Sequence, residues 1–428
     1  MPKKKQKEFQ SPKGMRDLLP QDWGFWYKLI KTGEDLAQDY GFQKIETPIL
    51  EDADLFVRGT GATTDIVSKQ MYFVKTAGGA NLALRPEGTP GVVRAYMENG
   101  MASLPQPIKL FYYGPMFRYE QPQAGRWRQL YQFGLEVFGD SGAVLDAQII
   151  QFCFHLFRSV GLKKINIHIN SLGCPQCRPS YRKALLDYYR HRKDKVCPDC
   201  KRRIKENPLR LLDCKEEKCQ PIKAQAPAMV DHLCDECRKH FKEVLEFLDE
   251  LEIPYFLNSS LVRGLDYYTK TIFEIFWDGE DAPQIALGGG GRYDNLVKEL
   301  GGRPTPAVGV GLGLDRIVDL MKKEQVKISV GPNFKVFLVQ LGAMGKKKGL
   351  KLFEKLHQAG ILAAESMSRD SIKAQMKLAD KYGVKFALIL GQQEALDNTV
   401  IIRDMQSGVQ ETVPQDKVVD ELKKRFKK

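Results

Sequence analysis

The pattern of apolar and polar positions divides the chain into three stretches. Between residues 22 and 40, Trp23, Trp26, Ile30, Ala37 and Tyr40 recur at helical spacing, with Asp22 as N-cap and Gly41 as stop. An extended piece, Phe42 to Thr47, follows and is closed by Pro48. Residues 81–85, 108–118 and 130–138 read as strands, the last two rich in aromatics and joined by a Gln- and Arg-rich loop. Successive strands without a helix between them predict an antiparallel sheet. The strand pattern resumes at 270–277, and a Gly-rich stretch, 285–316, ends in a helix over 312–322. Sheet that is interrupted by a foreign composition and then resumed marks an inserted domain. Beyond Gly331-Pro332, strand (334–340), helix (345–359), strand (361–364), helix (371–382) and strand (384–390) alternate. That order predicts a small α/β domain around a mixed or parallel sheet. The expected class is α+β, with residues 1–170 and 251–328 as one domain, 171–250 as an insertion and 332–428 as a C-terminal domain.

Composition narrows the class. With 43% hydrophobic and 28% charged residues the chain is neither disordered nor collagenous. It holds no run of 18 apolar residues, so no membrane span is expected, and the opening Met-Pro-Lys-Lys-Lys-Gln-Lys lacks the apolar stretch of a secretion signal. The expected address is the cytoplasm. The net charge of +13 is unevenly placed. Residues 174–242 hold 18 Lys/Arg against 10 Asp/Glu, residues 331–428 hold 18 against 11, and the rest is near neutral. Two basic segments imply two electrostatic contacts with a polyanion.

Eight of the nine cysteines fall in the first basic segment, as the pairs Cys174/Cys177, Cys197/Cys200, Cys214/Cys219 and Cys234/Cys237. Thiols stay reduced in the cytosol, which weakens a disulfide reading. Short Cys-x-x-Cys loops suit tetrahedral zinc, because they place two thiolates on one ion. The pairs make two four-thiolate sites, or one site with spare thiols. A four-thiolate shell leaves no open position, so the expected role is structural.

Candidate chemistry starts on the strand Leu130-Tyr-Gln-Phe-Gly-Leu-Glu-Val-Phe138. Period two places Gln132 and Glu136 on one face with Gly134 between them, and Tyr131, Phe133, Leu135 and Val137 on the other. A polar face in a central strand is costly unless it lines a site. The expectation is a pocket floor for a small polar, cationic ligand, with the space above Gly134 left free. The preceding strand delivers Arg118, and its loop carries Gln123, Arg126 and Arg128, an arrangement suited to phosphate. Arg263 and two tyrosines precede the strand at 270, and Arg316 opens the helix after Gly309-Val-Gly-Leu-Gly. Neither a Rossmann fingerprint nor a Walker-type loop occurs, so a bound nucleotide would be held by arginines on an antiparallel sheet.

These segments resemble, in order, the three motifs of the class II aminoacyl-tRNA synthetases. The long helix and extended segment ending at Pro48 resemble motif 1. Phe117-Arg-Tyr-Glu120 with Gly134-Leu-Glu-Val-Phe-Gly139 resembles motif 2, and Gly311-Leu-Gly-Leu-Asp-Arg316 resembles motif 3. Leu261-Val-Arg-Gly-Leu-Asp-Tyr-Tyr-Thr269, Leu84-Arg-Pro-Glu-Gly-Thr89 and Gly290-Gly-Arg-Tyr-Asp294 are similar to the signature of one branch, the histidyl-tRNA synthetases. The resemblance implies a class II catalytic domain, the cysteine-rich insertion and a C-terminal anticodon-binding domain. It implies ATP-dependent ligation of L-histidine to tRNA(His) through histidyl-adenylate, with Mg²⁺ accompanying ATP, and a homodimer paired through motif 1.

Carried onto this chain, the resemblance implies that Glu87, Thr89 and Gln132 hold the amino group of histidine, and that Glu136 and Tyr268, with Tyr267, hold the imidazole. Arg263 would meet the carboxylate and α-phosphate, with Arg118 on the other side. Glu120 would reach the adenine, Arg316 the terminal phosphates, and Gln123 and Arg126 the acceptor end of the tRNA. The chain departs from the family at Leu130, where many members have Phe, and at Tyr119-Glu120-Gln121, where His-Glu-Arg is usual. The alternative is a non-catalytic, synthetase-like regulatory subunit of ATP phosphoribosyltransferase, a class that usually lacks the C-terminal domain. A zinc-dependent nucleic-acid-binding protein would explain the cysteines and charge but not the polar strand face.

Overall fold

The structure is a computed structural model that describes residues 9–61, 64, 66–121, 126–279, 285–328 and 334–427. The chain divides into two compact units, Met1–Ile328 and Ser329–Lys428.

In the first unit the strands are β1 (Gln43–Lys44), β2 (Leu50–Asp52), β3 (Tyr72–Lys75), β4 (Asn81–Leu84), β5 (Ile108–Phe117), β6 (Gln129–Phe138), β7 (Ile165–Ser171), β8 (Tyr255–Leu257), β9 (Thr269–Trp277), β10 (Ile285–Arg292) and β11 (Ala307–Gly313). Eight of them form one sheet in the order β1-β5-β6-β11-β10-β9-β7-β8, antiparallel except for the parallel pairs at its two ends. β2, β4 and β3 make a small separate sheet. The expected alternation on β6 holds. Phe133, Leu135 and Val137 enter one apolar core with Val308, Val310 and Leu312 of β11. The helices Trp23–Asp39, Ala143–Ser159 and Leu314–Lys323 cover that face. The opposite face carries the polar groups described below.

Two details of the first helix differ from the sequence reading. Its buried stripe is Trp26, Leu29, Gly33 and Ala37, while Trp23 stays half exposed. Asp22 stands at the N-cap position but makes no cap hydrogen bond. Its carboxylate accepts from Lys322 at 2.5 Å instead, tying the first helix to Leu314–Lys323.

The cysteine-rich segment packs into the same apolar core as the sheet. Tyr181, Leu185, Val244 and Leu248 lie in one cluster with Phe157 and Ile167. Its last helix, Asp235–Glu250, lies along Ala143–Ser159. At that joint the buried Asp146 carboxylate meets His240 at 3.3 Å and accepts from Arg292 at 2.7 Å.

The second unit holds β12 (Val336–Gln340), β13 (Ala363–Glu365), β14 (Phe386–Leu390), β15 (Thr399–Asp404) and β16 (Gln410–Pro414) in the order β13-β12-β14-β15-β16. The first three are parallel and the last two run antiparallel. Alternate residues of β12 and β14 feed two separate cores, so helices cover both faces.

Candidate active site

Glu136 is buried on the polar face of β6. Its Oε1 accepts from Thr89 Oγ1 at 2.7 Å and from Tyr112 at 3.3 Å, and its Oε2 accepts from the Tyr293 hydroxyl. Burial pushes its pKa up to about 8; the hydroxyls of Tyr293 and Thr89 pull the other way. A second buried carboxylate, Glu87, accepts from Thr60 at 2.8 Å and from Tyr267 at 2.9 Å. Burial raises this one too, opposed by the two hydroxyls and by the charges of Arg118 and Arg263. Glu136 on β6 and Glu87, in the turn between β4 and the helix that begins at Thr89, are thus two carboxyls in an apolar setting, each held by hydroxyls and, among the described residues, neither neutralised by a direct ion pair. Such a nest favours a ligand that brings positive charge or N–H donors.

Glycines make this closeness possible, though not as expected at Gly134. The ring of Tyr112 fills the space above it: a Cβ there would lie 2.2 Å from that ring. Gly88 is excluded by the same ring, and a Cβ on Gly309 would sit 1.9 Å from Glu136 Oε2. The open floor lies further along the face, where Gly311 and Gly313 of β11 pair with Gly134 and Gln132. The Gly-x-Gly-x-Gly run at 309–313 signals one bare strand face, a clue the sequence offered beside its motif.

Over that floor opens a cavity of about 210 Å³. Its walls carry four arginines: Arg118, Arg126, Arg263 and Arg316. Arg263 ion-pairs with Glu274 at 3.1 Å and lies 5.5 Å from the Tyr268 ring centroid. Gly289 leaves room for it, since a Cβ there would sit 2.5 Å from its Nη1. Arg118 donates to the Pro86 carbonyl at 2.8 Å, and Arg316 to the Ala286 carbonyl at 2.8 Å. Burial lowers the Arg316 pKa, and Arg126 nearby lowers it further, so this guanidinium gains from an anion. Glu120 faces Arg126 at 3.8 Å. Leu130, Gln132 and Trp127 also line it, as do Asp315 and the backbone of 286–289. The indole N–H of Trp127 is buried without a partner among the described residues, and the Arg16 guanidinium lies 4.4 Å from its ring centroid. Arg16 also pairs with Asp315 at 2.9 Å, so the N-terminal strap joins the loop after β5 to the helix that carries Arg316.

The structure therefore brings Arg118, Glu120, Arg126, Gln132, Arg263 and Arg316 to one cavity. Glu87, Thr89 and Tyr267, from the turn, helix and loop beside the sheet, form with Glu136 of β6 the hydrogen-bonded nest, with Tyr268 packed against Tyr267. Gln123 lies outside the described residues. Sequence reasoning missed Tyr112, Thr60 and Glu274 altogether and gave Tyr293 no role. Glu274 could have been found from the alternation of β9, which puts it on the face opposite Phe273 and Ile275.

The cysteines sort first with fourth and second with third. Cys174, Cys177, Cys234 and Cys237 make one group, and Cys197, Cys200, Cys214 and Cys219 another, with the sulfurs of each within 4.8 Å of one another. The separations Cys174–Cys177, Cys174–Cys234 and Cys197–Cys214 are 3.7, 3.9 and 3.8 Å. Four thiolates bonded at about 2.3 Å to a tetrahedral zinc stand about 3.8 Å apart. Both groups fit a metal ion.

Comparison with known proteins settles the family. The family model described as Histidyl-tRNA synthetase matches residues 14–317, and that described as Anticodon binding domain matches 335–425. The chain belongs to the histidyl-tRNA synthetase family. Relatives named histidine–tRNA ligase include one from Desulforudis audaxviator, 46% identical over 96% of this chain and 98% of its own length. Another, from Dehalococcoides mccartyi, is 43% identical over 98% and 100%. Among solved structures, apo histidyl-tRNA synthetase of S. aureus superposes with a TM-score of 0.82 at 34% identity, covering 97% of this chain and all of that one. An ATP phosphoribosyltransferase regulatory subunit/histidyl-tRNA synthetase from Bacillus halodurans C shares the fold, with a TM-score of 0.63 at 21% identity over 90% of this chain and 99% of that one. The class II catalytic fold and the anticodon-binding domain expected from the motifs are those of the histidyl-tRNA synthetases. Among the described residues no helix is long and apolar enough to cross a membrane.

Proposed function

We propose that the chain attaches L-histidine to tRNA(His). In the first step a histidine carboxylate oxygen bonds to the α-phosphorus of ATP, the bridging bond to the β-phosphate breaks, and pyrophosphate leaves. In the second step the terminal ribose hydroxyl of the tRNA bonds to the acyl carbon and AMP leaves. The observation that carries this reading is a buried two-carboxyl nest around Glu136 beside a four-arginine cavity lined by Gln132 of the same strand. The nest suits an imidazole and an α-amino group, and the cavity suits a polyphosphate.

An α-carboxyl titrates near about 3.5, so at neutral pH the nucleophile is already ionised and needs no general base. The site's work is alignment and charge neutralisation. Arg263 and Arg118 would flank the α-phosphate, Arg316 the terminal phosphates and Glu120 the adenine, with Leu130 and Trp127 as apolar walls. Glu136 and Tyr268, with Tyr267, would read the imidazole, and Glu87, Thr89 and Gln132 the amino group. A cationic ring beside Glu136 would lower its raised pKa and make it an acceptor. Reading by buried polar groups rejects analogues that lack the partner by about 10⁴–10⁵, which leaves an editing domain unnecessary. Arg126 and Gln123 would meet the acceptor end of the tRNA.

Glu274 is a carboxylate donor on the cavity wall and would hold Mg²⁺ together with substrate phosphates. When bound, the ion neutralises polyphosphate charge. The cysteine groups would hold two structural zinc ions. The face around the first helix leaves Trp23 and Tyr27 exposed beside a 470 Å³ cavity lined also by Ile30, Ile45 and Ile49. A second copy of the chain would cover it, giving a homodimer, and a monomer by sedimentation at micromolar concentration would exclude that assembly. Histidine-dependent exchange of pyrophosphate into ATP tests the main reading. Absence of exchange in metal-replete protein would favour the regulatory-subunit alternative, which the arginine set and the anticodon-binding unit otherwise disfavour.

A further inference from the structure

The loop that delivers Arg263, residues 262–268, belongs to no helix or strand, so no ladder fixes its shape. Its partners come largely from the cysteine-rich segment. Arg210, between Cys200 and Cys214, donates to the Gly264 carbonyl at 2.6 Å and stands 3.6 Å from the Asp266 carboxylate. Asn207 donates to that carboxylate at 3.3 Å. Arg178, the residue after Cys177, donates to the Tyr268 carbonyl. Each cysteine group therefore sends one arginine onto the loop, one near its start and one at its end. Both side chains are turned inward: that of Arg210 is 14% exposed, and the Nε of Arg178 is buried. Guanidiniums withdrawn from water need such acceptors, and in binding them they fix the backbone that carries the acceptors.

We propose that Arg210 and Arg178 are positioning residues for amino-acid binding, and that the cysteine-rich segment acts on the first chemical step as well as on RNA. The inference rests on the ligase reading above. Short loops braced by the two thiolate groups hold the arginines. These hold residues 264–268, which in turn keep Arg263 over Gly289 and Tyr267 on Glu87. The positive charge of the segment is thus not all available to a polyanion.

The test uses full-length, metal-replete protein carrying Arg210→Ala, Arg210→Lys or Asn207→Ala. Arg210→Ala should weaken histidine binding by about tenfold in calorimetry, the loss of one charge-assisted hydrogen bond. The KM for ATP and the tRNA affinity should stay within about twofold, and the bound zinc should be unchanged. Amide hydrogen exchange over residues 262–268 should accelerate. Arg210→Lys should recover part of the affinity, and Asn207→Ala should show the same pattern more weakly. Unchanged histidine affinity with weakened tRNA binding in Arg210→Ala would reduce the segment to an RNA platform and overturn the proposal. If Arg210→Ala instead loses zinc and stability, Asn207→Ala decides: unaltered loop exchange and histidine affinity there overturn it as well. Wild-type protein that lacks histidine-dependent pyrophosphate exchange would refute the ligase reading, whereas an unaltered loop in a folded Arg210→Ala refutes only this one.

Discussion

Glu136 holds its proton at neutral pH because burial outweighs the hydroxyls that would stabilise its anion, and this makes stability depend on pH. Its folded pKa of about 8 lies above the unfolded value of about 4.3. Its contribution is fully present below the unfolded value and is lost as pH rises through the folded one. Glu136→Gln cannot titrate, so the wild type should lose thermal midpoint relative to this variant as pH rises across that window. A pH-independent difference, measured by calorimetry, would mean that the carboxyl is already ionised. Arg263 stands at the other end of the site. Arg263→Ala should keep its fold yet lose about 10²–10³ in adenylate formation, because a guanidinium fixed beside the reacting phosphate acts most strongly as charge develops. Near-wild-type pyrophosphate exchange would remove Arg263 from the reaction. The alternation around Gln132 and Glu136 made half of this site legible from local pattern. Tyr293 escaped because its bond to Glu136 spans 157 positions, and nothing in a strand's own residues names so distant a partner.

Elements show the same division. Period two revealed β5, β6 and β9, and helical spacing the first helix. The helix Ala143–Ser159 and strand β7 went unread, since Ile149, Ile150, Phe152, Cys153, Leu156 and Phe157 are buried around much of that helix and leave little polar face to mark a period. Cysteine spacing announced metal-type knuckles but could not pair them, because closing a site depends on how the intervening helices fold back. The observed pairing makes the groups separable. Elemental analysis should find two zinc ions per chain, one for each group, and Cys200→Ser should lose one of them while Cys174, Cys177, Cys234 and Cys237 retain theirs. Loss of both ions on that single change would show one cooperative cluster. A chelator that strips both should lower the thermal midpoint, since metal-binding free energy of this kind is folding free energy.

At the scale of the whole molecule, the chain joins a unit bearing the cavity to a separately compact unit with its own two cores. A deletion of residues 332–428 should therefore leave histidine-dependent pyrophosphate exchange measurable while lowering discrimination between cognate and non-cognate tRNAs. Loss of exchange in a folded deletion protein would show that the first step depends on the second unit. Changes along the chain in charge, cysteine and glycine set its stretches apart in the sequence. The merging of the cysteine-rich segment with the sheet core was not legible there, because Tyr181, Leu185 and Val244 read as ordinary helix residues until their neighbours are known.

The bare floor of the sheet also bears on how such a sequence can change over generations. A methyl group on Gly288 would meet the Gly311 carbonyl at 2.6 Å, and one on Gly290 the Gly309 carbonyl at 2.0 Å. The obstacles are main chain, which cannot step aside as a side-chain tip can. Every single-base change that alters a glycine codon adds at least one carbon or ends the chain. Gly288 and Gly290 are therefore closed to gradual drift, whereas Gly311 and Gly313, where a methyl group would meet nothing nearer than 3.9 and 3.6 Å, leave the floor open to retuning by small side chains.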